Sequence, residues 1–256
     1  MRLAYIHPGK ESDKKVTPEF FTSLEGVIRS VARPETSFEI WGLPGKLPEE
    51  DEMAYWYVHP KIFSAMIANA KRAENEGFDG VVIGCVGATD AEYAIKEVLE
   101  IPVAGIGESA LLLAQILGQN FSILTYNNKI AAWIDRLVSE HHLGDKCVSV
   151  RPANISLGEA LGRDAIAAIR EKMLTQARKA IEEDRAEVIV NASAGFVGMA
   201  DYLRKNIAAP VVDAVESGVK FAELLVDLRK TKGLLHSKVA SFQASPNTDR
   251  VIAEFF

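Results

Sequence analysis

Short runs of β-branched and aliphatic residues alternate along the chain with longer amphipathic stretches, the pattern of a parallel sheet crossed by helices. Leu3 to Ile6 predicts a buried strand ending in the turn His7-Pro8-Gly9. Lys10 to Thr17 reads as a polar loop, Pro18 to Ala32 as an amphipathic helix and Ser37 to Trp41 as a second strand. From Gly42 to Tyr57 prolines and an acidic run interrupt any period, and Tyr55-Trp56-Tyr57 closes the stretch. A connection of that length is expected to wall or cover a site. His59-Pro60 opens a helix that Gly77 stops, and the run Val81-Val82-Ile83 follows as a strand. A helix from Ala91 to Leu99, capped by Thr89 or Asp90, leads to a short strand from Pro102 to Gly105 and a helix from Glu108 to Leu117.

The same sequence of elements begins again at Phe121 to Thr125, with a helix from Asn128 to His142 and a strand from Lys146 to Val150. An Ala-rich helical region from roughly Gly158 to Glu183 leads into the strand Glu187 to Asn191. Met199 to Asn206, Pro210 to Ala214 and Glu216 to Leu228 complete it, and a tail from Gly233 carries His236-Ser237-Lys238. A shift of 108 positions carries Cys85 to Ser193, Gly87 to Gly195, Pro102-Val103 to Pro210-Val211 and Glu108-Ser109 to Glu216-Ser217 without a gap. One βαβα unit is therefore used twice. The expected fold is α/β, two similar Rossmann-like lobes related by a pseudo-twofold with the site in the cleft between them. The lobe of Cys85 is expected to comprise residues 1–118 and 213–256, and the lobe of Ser193 residues 119–212.

Composition narrows the function classes. Of 256 residues 48% are hydrophobic, enough for a large core, and no run approaches the roughly 20 apolar residues of a membrane helix. The net charge of −6 is spread without a basic block, which argues against nucleic acid as a partner. Cys85 and Cys147 make no disulfide framework, and neither has metal-ligand spacing to another Cys or His, so the expected setting is a reducing cytoplasm and no metal is implied.

The candidate chemistry sits where strands meet helices. Cys85 follows a buried strand in the small-residue turn Gly84-Cys85-Val86-Gly87-Ala88, where amide donors and a helix start favour thiolate and are expected to bring its pKa from about 8.5 toward neutrality. Ser193 occupies the matching turn Asn191-Ala192-Ser193-Ala194-Gly195. Cys147, within a strand, reads as structural. His7 stands at the same sheet edge as Cys85, and Thr125-Tyr126 mirrors His7-Pro8 in the second half.

Taken together, Gly84-Cys85-Val86-Gly87, Ile101 to Glu108, Phe121 to Thr125, Cys147 to Arg151, Ala194-Gly195 and Pro210 to Asp213 resemble the aspartate/glutamate/hydantoin racemase superfamily, its hydantoin racemase branch in particular. The resemblance implies a cofactor-independent enzyme in which two cysteines flank a carbon acid, one removing a proton and the other returning one to the opposite face. Cys85 matches the first cysteine; at the second position this chain has Ser193. The resemblance further implies a small-molecule substrate, a carboxylate or cyclic amide, met by His7, Val86, Gly87, Thr125, Tyr126, Ala194 and Gly195, and it allows a homo-oligomer. Three readings stay open at this point. One is a racemase or isomerase acting through Cys85 and Ser193. The second is a one-base decarboxylase, or a Cys-dependent hydrolase, of a small carboxylate. The third is a non-catalytic binder of small ligands.

Overall fold

Alternate apolar positions sort each strand between two helical layers. The first sheet consists of β1 (Arg2–Lys10), β2 (Ser37–Leu43), β3 (Gly80–Ile83) and β4 (Val103–Gly105), parallel throughout and ordered β2-β1-β3-β4. Its connections carry α1 (Asp13–Val16), α2 (Pro18–Val31), α3 (His59–Asn75) and α4 (Thr89–Val98). After α5 (Ile106–Leu117) the pattern repeats: β5 (Phe121–Thr125), β6 (Cys147–Pro152), β7 (Val188–Asn191) and β8 (Val211–Asp213) form a second parallel sheet ordered β6-β5-β7-β8. The helices α6 (Asn128–Glu140), α7 (Leu157–Leu161), α8 (Ile166–Glu182) and α9 (Met199–Asn206) connect it, and α10 (Ala214–Lys232) and α11 (Thr248–Phe255) follow. This is a computed structural model, and it describes residues 1–161 and 166–255.

The inner faces of both sheets share one core. Leu3, Tyr5 and Val82 from the first sheet, and Phe121, Ile123, Val188 and Val190 from the second, pack with α2, α5, α6 and α10. The outward residues of the same strands form two separate cores. Ala4, Ile6, Val81 and Ile83 meet α3 and α4, while Leu124 and Ile189 meet α8 and α9. The helices that leave the last strand of each sheet are exchanged. α5, continuing from β4, lies against β7 and β8, and α10, continuing from β8, lies against β3 and β4. The pair crosses at Gly218, where a methyl group would come within 2.6 Å of Ile106 Cγ2. α10 is fixed to the first lobe by Glu223, whose Oε1 accepts from the Arg33 amide (2.8 Å) and from Thr36 Oγ1 (2.7 Å).

Several expected elements take a different local form. β1 does not turn at His7-Pro8-Gly9; it stays extended to Lys10, with its register against β2 shifted between Ile6 and Lys10. Pro8 has no N–H for the ladder and so falls inside that irregularity, after which pairing resumes. The expected polar loop from Lys10 to Thr17 contains α1, and the Gly42 to Tyr57 stretch contains two short 3-10 turns, Glu50–Ala54 and Trp56–Val58. Neither Thr89 nor Asp90 caps α4; its N-cap is Ala88, without a side-chain hydrogen bond. Of the expected long helix from Gly158 to Glu183, the described residues fall in α7 and α8 up to Glu182, and positions 162–165 lie outside the described residues.

Beyond α10 the chain returns along the outer edge of the first sheet. Gly233 ends the helix with φ +68°, in the left-handed region that favours glycine. His236 Nε2 then accepts the N–H of Val103 in the edge strand β4 (2.9 Å), and Lys238 Nζ donates to the last carbonyls of α4, those of Lys96, Glu97 and Leu99, each at 2.8 Å. The tail packs on this edge and not in the cleft. Among the described residues no helix is long and apolar enough to cross a membrane.

Candidate active site

The two repeated loops meet across one cavity. Cys85, Val86 and Gly87 line it from the first lobe, and Tyr126, Ala192, Ser193, Ala194 and Gly195 from the second. Its remaining wall comes from β1 and its bulge, the Gly42–Tyr57 stretch, and the helices α3 and α6. Parallel strands place both loops there, because in each lobe the central strands end at the same carboxyl edge.

Cys85 is enclosed, and burial pushes its thiol up to about 11, with backbone hydrogen bonds from Gly87 and Ala88 pulling weakly the other way. The expected drift toward neutrality is thus reversed. The amide donors are present, but the thiolate loses more by leaving water than two hydrogen bonds return. Gly87 also serves packing. A methyl group there would approach Trp133 Cε3 of α6 to 2.6 Å.

Ser193 is held by a short network. Its hydroxyl donates to the Tyr126 hydroxyl, while the Gly195 N–H points at both oxygens, 2.9 Å from Ser193 Oγ and 3.2 Å from Tyr126 Oη. Tyr126 follows directly from β5, and its ring packs on Phe196 with centroids 4.3 Å apart. Burial raises the Tyr126 pKa well above the usual phenol value, so the group stays protonated at neutral pH. A methyl group on Gly195 would collide with the Tyr126 hydroxyl, so glycine is what allows the loop to sit against it. Below the loop, buried Asn191 donates to Asp213 Oδ2 (2.9 Å), and Asp213 Oδ1 caps α10 at the amides of Val215 and Glu216. Burial raises the Asp213 pKa to about 6.

His7 is nine-tenths buried between Phe20 and Phe21, and burial lowers its pKa to about 4. Its Nδ1 accepts the Gly9 N–H (3.0 Å), which leaves the proton of the neutral ring on Nε2. Eight of the nine expected site residues come together. Cys85, Ser193, His7, Val86, Gly87, Tyr126, Ala194 and Gly195 all line the cavity, whereas Thr125 does not. Thr125 is fully buried at the end of β5, its hydroxyl without a hydrogen-bond partner, and the cap of α6 is instead Asn127, which accepts from Lys129 and Ile130.

The Gly42 to Tyr57 stretch walls the cavity as expected, through Leu47, Pro48 and Met53, whereas the roles of His59 and Trp133 beside it were not foreseen. His59, at the start of α3, stands edge-on to Trp133 at 4.4 Å and packs against Trp56 and Phe63 at 5.0 and 4.9 Å. His59 Nε2 lies 3.1 Å from the Met53 carbonyl, and burial lowers the pKa of the ring. Its Nδ1 and the Trp133 Nε1 are buried without a hydrogen-bond partner. Leu47, Pro48, Met53 and Ile62 extend this wall. Among the lining residues the one Lys or Arg is Lys10, which is paired with Glu49 at 3.1 Å. Cys147 lies elsewhere, in β6, with its thiol hydrogen-bonded to the Ser149 carbonyl at 3.5 Å and raised to about 12 by burial.

Residues 16–222 match the family model described as Asp/Glu/Hydantoin racemase. The chain belongs to that family. It is 34% identical over 230 residues to the hydantoin racemase of Pseudomonas sp. (strain NS671), covering 90% of this chain and 88% of that one. The crystal structure of allantoin racemase from Pseudomonas fluorescens superposes with a TM-score of 0.81 at 28% identity, covering 96% and 97% of the two chains. Arylmalonate decarboxylase shares the fold, with a TM-score of 0.60 at 15% identity over 88% and 92%. The protein is an enzyme of the racemase superfamily, built on the same two-sheet α/β architecture.

Proposed function

We propose that this enzyme racemises a small cyclic amide of the hydantoin type bearing an apolar substituent, by proton transfer at the carbon next to a ring carbonyl, with Cys85 serving one face and Ser193 the other. The observation that carries this reading is that the two repeat-related side chains, one from each lobe, line a single cavity. Removing a proton from such a carbon requires a base and donors for the developing enolate oxygen. Cys85 in its thiolate form is the base, and the Gly87 and Ala88 amides stabilise that form. On the opposite side the Gly195 N–H holds the Ser193 hydroxyl at 2.9 Å.

Charge favours an uncharged ring over an amino-acid or malonate carboxylate. His7 and His59 are held neutral by burial, and Lys10 is occupied by Glu49. A substrate carboxylate would lose water without gaining a cation, whereas ring carbonyls and N–H groups match neutral donors and acceptors such as Trp133 Nε1 and His59 Nδ1. The wall of Trp133, Phe63, Met53 and Ile62 suits an aromatic or branched aliphatic substituent.

Polarimetry on enantiopure 5-benzylhydantoin, allantoin and L-aspartate, with CO2 release measured from phenylmalonate, tests the reading. Loss of rotation is expected with the benzyl compound at a higher kcat/KM than with allantoin and none with aspartate. Release of CO2 from phenylmalonate without racemisation of any hydantoin would replace it with a one-base decarboxylase.

A further inference from the structure

We infer that Ser193 does not act alone and that Tyr126 is the residue behind it, passing the proton that Ser193 delivers to the carbanion. The inference rests on the racemase reading above and concerns how its second face works without a second thiol. A serine hydroxyl is intrinsically a weaker acid than a phenol, and the rise that burial imposes on Tyr126 is opposed by the Gly195 N–H that faces its oxygen. Among the described residues no His or Lys touches the Ser193 hydroxyl; its partners are the Tyr126 hydroxyl and the Gly195 N–H.

The geometry of the three groups fits a relay. The Tyr126 oxygen receives the Ser193 hydroxyl and the Gly195 N–H, so its own proton points elsewhere and turns to Ser193 Oγ only once the Ser193 hydroxyl has swung toward the carbon. When the enolate carbon takes a proton from Ser193 Oγ, the C–H bond forms and the Oγ–H bond breaks. The Tyr126 O–H bond breaks in the same step and its proton passes to Oγ. The negative charge that left the carbon ends on the Tyr126 oxygen, where the Gly195 N–H faces it. In the other direction each bond change runs backward. Over one inversion Cys85 goes from thiolate to thiol and Tyr126 from phenol to phenolate, and a proton returning through solvent resets both. Because burial keeps Tyr126 protonated, the relay starts from its donor form. The aromatic contact with Phe196 and the absence of a side chain at Gly195 hold the phenol at this distance.

The test separates the two faces. Each enantiomer of 5-benzylhydantoin is incubated in D2O, and loss of the ring C–H with retention and with inversion is followed by NMR and chiral chromatography. In Tyr126→Phe the ratio of inversion to retentive exchange is expected to fall by about 10²-fold, the scale of one general acid–base group. Ser193→Cys in the Tyr126→Phe background restores the ratio, since a thiol with pKa about 8.5 needs no phenol behind it. A ratio unchanged in Tyr126→Phe, or a loss that Ser193→Cys does not rescue, overturns the relay. The second of those results would show Tyr126 holding the loop in shape. If the unaltered protein exchanges neither enantiomer, the racemase reading falls first and the relay with it.

Discussion

The two loops that meet across the cavity are copies in sequence and opposites in chemistry. Around Cys85 the loop offers amides to a polarisable sulfur in a dry setting, and the thiol is raised to about 11. Around Ser193 the loop's Gly195 amide and the Tyr126 phenol from the end of β5 meet a hard oxygen that cannot ionise unaided. The same offset relates two ion pairs beside them. Lys96 with Glu108 (2.6 Å) is buried and shared with Glu92, while Arg204 with Glu216 (2.9 Å) is half-exposed and also donates to the Val211 carbonyl. Duplication has kept the position of each group and let its surroundings diverge, and it is the surroundings that decide acid strength.

Four experiments sharpen or break this contrast. The largest effect is expected for Cys85→Ala, which should lower kcat/KM by at least about 10³-fold while leaving the far-UV circular dichroism unchanged, because in the proposed reaction the thiol is the base and the change removes a single sulfur atom. Activity surviving in that variant would unseat the first loop. Next, Gly195→Ala and Gly87→Ala should each cost about 10²-fold, the first by driving a methyl into the Tyr126 hydroxyl, the second by pressing on Trp133. A loss in kcat without loss of binding is expected for Gly195→Ala, since it disturbs the proton path.

Titration follows. Thiolate is a minor species well below a pKa of about 11, so alkylation of Cys85 by iodoacetamide should accelerate about tenfold per pH unit from near pH 7 to beyond pH 9. A plateau near pH 8 would show that the loop lowers the pKa after all.

The smallest effect concerns the tail. His236 has a pKa lowered to about 4 by burial, so the unfolded chain binds its proton first as pH falls. Its contribution is present above about pH 6.5 and is lost as pH drops toward 4, whereas Asp213, raised to about 6, acts in the opposite sense. His236→Ala should destabilise by about 1 kcal/mol at neutral pH through the lost Val103 hydrogen bond, with the gap narrowing toward pH 4 in thermal melts.

Much of this was legible in the sequence because strands buried on both sides write themselves as apolar runs. Val81 to Ile83 and Val188 to Asn191 were placed with their loops, and the offset between them gave the twofold repeat. What escaped were contacts between residues distant in the chain. Trp133 against Gly87, His59 against Trp133, and Tyr126 on Ser193 each join segments that periodicity treats separately. The acidity of Cys85 escaped for a related reason. Its amide donors are local and readable, but its burial is made by the opposite lobe. The bulge at Pro8 was hidden because proline in an apolar stretch more often marks a strand end.

The exchange of α5 and α10 sets an order of events during synthesis. All four strands of the first sheet have left the ribosome once Gly105 emerges, yet α10, which completes with α2 the cover over Leu3, Tyr5 and Val82, begins only at Ala214. Until then the nascent chain carries an uncovered apolar face, the kind of surface that chaperones hold and that aggregates when they do not. Neither half of the duplication can close its own core, so a chain interrupted before α10 should remain a partly folded intermediate, and the finished protein should unfold as one unit.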